Sequence, residues 1–170
     1  MFGDPIKNIF HIDLGEGMKV ADLGAGSGFY LKALSERVGN SGMVYAVEIQ
    51  KSLVKKIEDD LKKNNISNVS VVWGDIERHE GTKIASHLLD AVFVSNVLFQ
   101  LEDKVGLIEE IKRIIKPKGK VLLVDLSSEF SYGTKEAEIE NLFINKGFKK
   151  IKNIPVSSKQ YGIIFEYAGQ

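Results

Sequence analysis

The chain has no cysteine among its 170 residues. That removes disulfides, thiolate metal sites and cysteine nucleophiles in one step. It also fits a reducing compartment, so the expected location is cytoplasmic. Histidine is scarce: His11, His79 and His87 are the full set, and no metal-ligand spacing relates them, so no metal site is expected. No apolar run approaches the roughly 18–20 residues that cross a bilayer, so no membrane span is expected. The opening Met1-Phe2-Gly3-Asp4-Pro5 lacks the basic-then-apolar order of a secretory signal. Charge of one sign is also lacking, with 23 basic and 23 acidic side chains. A zero net charge argues against duplex nucleic acid as a partner. Two lysine-rich stretches, Lys51/Lys55/Lys56/Lys62/Lys63 and Lys146/Lys149/Lys150/Lys152, leave room for RNA, but neighbouring acids cancel them and they read first as solvated faces.

What is present is an apolar content of 44%, enough for one continuous core in a single domain spanning 1–170. Short apolar runs alternate with longer amphipathic ones. Strands are expected at Lys19–Leu23, Met43–Glu48, Val69–Trp73, Ala91–Ser95 and Lys120–Asp125, with helices at Gly28–Val38, Lys51–Lys63 and Lys104–Lys116. Near-continuous apolar strands separated by helices predict an α/β fold with a parallel sheet covered on both faces. The tail changes character. A helix near Lys135–Lys146 precedes two extended runs, Phe148–Pro155 and Tyr161–Tyr167, whose short link predicts antiparallel pairing. The stretch Gly74–Leu89 reads as a loop with at most one helical turn.

Between the first strand and first helix lies Asp22-Leu23-Gly24-Ala25-Gly26-Ser27-Gly28. Glycines there let the backbone turn tightly and approach a ligand. A dinucleotide site would need a further glycine at position 29, which is Phe29. Asp22 beside the loop disfavours phosphate and suits a cationic ligand. Alone, such a loop is also an ordinary strand-to-helix turn. Three later strand ends add to it. Glu48 closes the second strand, where an acid accepts hydrogen bonds from ribose hydroxyls; the alternative is a solvated strand cap. Asp75 follows the third strand in Gly74-Asp75-Ile76 and reads equally well as an acceptor for an adenine amino group or as a turn residue. Ile49 and the Ile76 backbone suit an adenine ring. Ser95 and Asn96 leave the fourth strand opposite the glycine loop, at the point where the strand order reverses.

These features, in this order, resemble the binding core of class I S-adenosylmethionine (SAM)-dependent methyltransferases, from about Lys19 to Leu126. Within that superfamily the chain looks most like the small-molecule branch of ubiquinone/menaquinone-biosynthesis enzymes; the passage Ile111–Lys120, with Pro117-Lys118-Gly119 in place of Pro-Gly-Gly, is similar to that branch. The resemblance implies a Rossmann-like doubly wound sheet of seven strands, order 3-2-1-4-5-7-6, strand 7 antiparallel. It implies SAM as cofactor, with S-adenosylhomocysteine as product. Asp22, Gly24, Ala25, Gly26, Gly28, Glu48, Ile49, Asp75, Ile76 and Ser95 would bind the cofactor. It divides the chain into an N-terminal lid segment (1–18), a SAM-binding core (19–126) and a C-terminal helix and hairpin (127–170).

The acceptor leaves a fainter trace. Displacement at a sulfonium draws much of its acceleration from alignment and desolvation, and needs a base only when the acceptor must lose a proton early. No residue is therefore assigned a catalytic role. Phe10, His11, Asn96, Phe99, Gln100 and Tyr132 are the expected substrate-facing residues, drawn from the lid and the exits of the fourth and fifth strands. The exit from the fifth strand also offers Asp125, Ser127, Glu129 and Phe130. Ser95-Asn96-Val97-Leu98 lacks the Pro-Pro-aromatic signature of enzymes that methylate amino groups of DNA bases. A small or lipophilic acceptor is expected; an open minimal domain acting on RNA or protein, and a non-catalytic SAM-binding module, are the alternatives. The pattern is equally compatible with a monomer and a homodimer.

Overall fold

The computed structural model describes residues 5–129 and 133–169. Its seven strands are β1 (Lys19–Leu23), β2 (Met43–Glu48), β3 (Val69–Trp73), β4 (Leu89–Ser95), β5 (Ile115–Leu126), β6 (Phe148–Asn153) and β7 (Gln160–Tyr167). The helices are α1 (Pro5–Ile9), α2 (Leu31–Val38), α3 (Lys51–Lys63), α4 (Lys104–Ile114) and α5 (Glu136–Asn145), with a short 3₁₀ turn at Leu98–Gln100. The sheet order is β3-β2-β1-β4-β5-β7-β6. β1 pairs in parallel with β2 and β4, while β7 runs antiparallel to both β5 and β6. The chain leaves β1 toward one side of the sheet and enters β4 on the other, so a crevice opens at the carboxyl ends of these two strands.

Both faces of the sheet are covered, as the apolar strands require. One core layer joins Ala21, Leu23 and Val92 to α4 and α5. There Phe143 stacks on Phe165 with centroids 4.3 Å apart and meets Phe148 edge-on. The other layer joins Val20, Val44 and Phe93 to α1, α2 and α3. Helix α3 buries Ile57 and Leu61 and turns its lysines outward, with Lys62 and Lys63 at the end that favours cations. The Asp103 carboxylate caps α4 by accepting from Gly106 N at 2.8 Å.

β4 begins at Leu89 and β5 ends at Leu126, while α5, β6 and β7 differ from expectation by one or two residues at their ends; three larger shifts each have a local reason. Helix α2 starts at Leu31 rather than Gly28, because Gly28 has φ +81°, outside the helical region. Helix α4 stops at Ile114 rather than Lys116. The residue before a proline avoids helical backbone, and Ile115 already pairs with Leu89. β5 consequently begins earlier than Lys120, with the Leu89/Ala91 register shift absorbing Pro117. The segment from Gly74 to Leu88 contains turns but no helix. Glu110 of α4 fastens it, accepting from Glu80 N, Thr82 N and Thr82 Oγ. Among the described residues no helix is long and apolar enough to cross a membrane, and no cluster of side chains could hold a metal ion.

Candidate functional site

A cavity of about 980 Å³ opens at the carboxyl ends of β1, β2, β3 and β4. Of the sequence-predicted residues, Asp22, Gly24, Ala25, Gly26, Glu48, Ile49, Asp75, Ile76, Ser95, Asn96 and Gln100 all line it. Its floor is the glycine loop. Gly24 N and Ala25 N donate to Val47 O at 2.9 and 3.0 Å, which ties the loop to β2. Gly24 has φ +75°, and a Cβ there would sit 2.7 Å from Val97 Cγ2, so only glycine fits.

Two acids define the floor. Glu48, buried at the end of β2, accepts from Gly26 N through Oε2 and from Gln50 N through Oε1, both at 2.9 Å. One carboxylate thus joins the glycine loop to the start of α3. Its two oxygens offer roughly four lone-pair directions, so capacity for ligand hydroxyls remains. Asp22 is the opposite case. It is 2% exposed, and its Oδ2 has no hydrogen-bond partner. Burial, with the nearby Glu48 charge, pushes its carboxyl up to about 7. A buried oxygen without a partner is costly; here it borders a cavity, where a bound cation would satisfy it.

Asp75 performs the turn role: Oδ1 accepts from Glu77 N and Oδ2 from the exposed Arg78 Nε, each at 3.0 Å. It also borders the cavity. Ser95 Oγ lies 3.0 Å from Tyr30 Oη and accepts from Asn96 Nδ2. Asn96 has φ +55°, a left-handed backbone that asparagine tolerates, and its Oδ1 accepts from Gln160 Nε2 at 2.6 Å. Asn96 thereby links β4 to β7.

Four expected residues lie elsewhere. Gly28 is a packing residue, since a Cβ there would press on Leu31 and Ile57 at 3.1 and 3.3 Å. Phe10 is 63% exposed with the Arg37 guanidinium over its ring, on the outer side of α2. His11, in the turn after α1, and Phe99, in the 3₁₀ turn, are not among the residues that line the cavity. Tyr132 and Phe130 lie outside the described residues. The segment before β1 contributes Asn8 instead.

Asp125, offered by its position as an acceptor-side group, faces inward. It is fully buried and accepts three backbone N–H bonds, from Val97, Leu98 and Leu126. Burial still lifts it to about 6 against those bonds.

Tyr30, Asn8, Val97 and Gln160 line the cavity without having been singled out, and Phe29, noted only for breaking the dinucleotide pattern, lines it too. Gln160 carried a usable signal. An antiparallel β7 must begin where the parallel strands end, so its first residue falls at the carboxyl edge. Among the described residues, the lining includes five carboxylates (Asp22, Glu48, Asp75, Glu77 and Glu102) and no lysine, arginine or histidine.

Comparison with known proteins follows this geometry. A methyltransferase-domain family profile matches residues 14–169. The demethylmenaquinone methyltransferase of Geobacillus sp. (strain WCH70) is 26% identical over 71% of this chain and 50% of its own length. A ubiquinone/menaquinone biosynthesis C-methyltransferase of Idiomarina loihiensis is 30% identical over 68% of this chain and 45% of its own length. The chain thus spans about half the length of the curated relatives it matches. A crystal structure of a SAM-dependent methyltransferase from Aquifex aeolicus superposes with a TM-score of 0.88, covering 97% of this chain and 90% of that one at 26% identity.

Proposed function

The chain belongs to the methyltransferase-domain family, in the class I SAM-dependent superfamily and similar to its ubiquinone/menaquinone branch, and on that premise we propose that it transfers a methyl group from SAM to a small or lipophilic acceptor. The observation that carries the reading is the unpartnered buried oxygen of Asp22, beside a glycine loop, in a cavity whose charged lining is acidic. SAM is a cation with two hydroxyls and an adenine, and this lining offers each a partner. Asp22 would hold the ammonium group and Glu48 the ribose hydroxyls. Asp75 and the Ile76 backbone would take the adenine edge, with Ile49 against its face. The glycine loop provides the close backbone approach. A phosphate-bearing dinucleotide would meet five carboxylates instead.

Bound SAM supplies an electrophilic methyl group with a good leaving sulfur. The chain's own task is then to fix the acceptor in line and to exclude water. Asn96 and Gln100 border the end of the cavity at β4 and offer uncharged hydrogen-bonding groups there. Because relatives include a demethylmenaquinone methyltransferase and a ubiquinone/menaquinone C-methyltransferase, quinol precursors are the first acceptors to try. RNA is a second reading, favoured by one feature: Trp73, 49% exposed, donates from Nε1 to Ile49 O beside the cavity and is flanked by Lys51 at 4.4 Å and Lys83 at 5.3 Å. An aromatic between cations can stack a base.

Tritium transfer from methyl-labelled SAM to quinol precursors, phospholipids, RNA and peptides tests these readings. Label in a small organic-soluble product is the expected result. Label in RNA alone would replace it with the second reading. No transfer to any of them, with SAM firmly bound, would favour a non-catalytic SAM-binding module.

A further inference from the structure

The wall of the cavity facing the glycine loop is held by a group that does not itself reach the cavity. β4 ends at Ser95, and the backbone reverses at Asn96, whose N–H donates to Val124 O at 2.8 Å. The reversal turns the next two N–H groups, of Val97 and Leu98, together toward β5. Leu98 is buried, so an N–H left without an acceptor there would be costly. Asp125 Oδ2 accepts both, at 3.1 and 2.6 Å, and Oδ1 accepts Leu126 N at 2.6 Å. Val97 is the residue whose side chain occupies the space above Gly24, within 2.7 Å of where a Cβ would stand. Gln100, at the end of the 3₁₀ turn, and Leu101, which follows it, line the same cavity. A single carboxylate on β5 therefore sets the height of the Val97 wall over the glycine loop.

We propose that Asp125 is a positioning residue for the methyl-donor site, acting through the Val97–Leu98 backbone to hold Val97 against Gly24. The inference rests on the SAM reading above. It requires that losing the carboxylate should weaken the donor site beyond any general loss of stability. Asp125→Asn keeps the shape but replaces one accepting oxygen with an NH2 group that donates and cannot accept, so at least one of the three N–H groups loses its acceptor.

The test compares SAM affinity by calorimetry, and amide hydrogen exchange, in wild type, Asp125→Asn and Phe143→Leu. Phe143 lies on the inner face of α5 against Phe148 and Phe165, is not among the cavity lining, and controls for lost stability. Asp125→Asn is expected to bind SAM about tenfold more weakly, with faster exchange at Val97 and Leu98 that added SAM slows again. Phe143→Leu is expected to lose stability while its SAM affinity stays within about twofold of wild type. Wild-type affinity in folded Asp125→Asn would overturn the proposal, as would an equal loss in Phe143→Leu. If Asp125→Asn does not fold, Val97→Ala trims the wall directly, and an unchanged SAM affinity there overturns the proposal equally. A wild-type protein that binds no SAM would instead defeat the functional reading, and exchange at Val97 and Leu98 would still report whether Asp125 clamps the turn.

Discussion

Asp22 and Glu110 are buried almost equally, at 2% and 1% exposure, yet their chemistry is opposite. Burial pushes both carboxyls up. Around Glu110, hydrogen bonds from Arg113, Thr82 and the Glu80 N–H outweigh it and bring the group down to about 2. Arg113 reaches it through Nε and a terminal nitrogen at 2.8 and 2.7 Å. Around Asp22 nothing offsets burial; the Glu48 charge adds to it, and one oxygen is left without a partner. The first arrangement is complete and fastens the loop after β3 to α4. The second is incomplete and borders a cavity. Deep carboxylates that serve the fold are satisfied by the fold; one left unsatisfied at a strand end marks where a ligand completes the set.

The largest expected effect breaks the complete site. Glu110→Ala leaves Arg113 without its counter-ion and should cost roughly 3–5 kcal/mol of stability, read by denaturant unfolding. The folded fraction should keep most of its SAM affinity. Breaking the incomplete site should do the reverse. Asp22→Asn removes the acid that would meet the ammonium and should weaken SAM binding by roughly 2–4 kcal/mol, while stabilising the ligand-free protein at pH 8.

The sign follows from the direction of each shift. Asp22 folded, at about 7, holds a proton that the unfolded chain releases near its ordinary 3.8. Its contribution to stability is therefore full below about pH 4 and lost as pH rises through about 7. Glu110 contributes fully above its ordinary 4.5 and loses that contribution as pH falls toward 2. Unfolding curves from pH 3 to 9 on wild type and the two variants should separate these limbs.

A smaller effect is expected at Glu48→Ala, where loss of the ribose partner and of the Gly26 tether should weaken SAM by about 1–3 kcal/mol. His11→Ala is expected to change neither stability nor SAM affinity measurably. A clear loss of affinity at His11 would show that the segment before β1 closes over the cavity in a way that the position of Asn8 does not indicate.

How much of this was readable beforehand divides along physical lines. Strands β1, β2 and β3 and helix α3 coincide with the apolar patterning, because nothing but burial and periodicity decides their limits. Two of the ends that moved, at Gly28 and Lys116, were decided by a positive φ and by a proline in a strand, which patterning does not register. Eleven of the sixteen expected site residues came together because strand ends at a switch point converge by topology. Asp125 has the same composition-level signature as Asp22, an acid closing an apolar strand. Only the N–H groups around them tell the two apart: Asp125 accepts three, while one oxygen of Asp22 accepts none. Tyr30, Asn8 and Gln160 reach the cavity through tertiary placement rather than through a motif.

Calorimetric titration with SAM at pH 6, in two buffers of different ionisation enthalpy, tests the central claim most directly. Asp22 is largely protonated at that pH, so binding a cation against it must expel the proton into the buffer. The account expects tight SAM binding with a buffer-dependent heat corresponding to release of up to about one proton, and no such dependence in Asp22→Asn. SAM binding with no proton release would show that Asp22 does not meet the ligand's charge, and tight binding of NAD without SAM would contradict the account altogether.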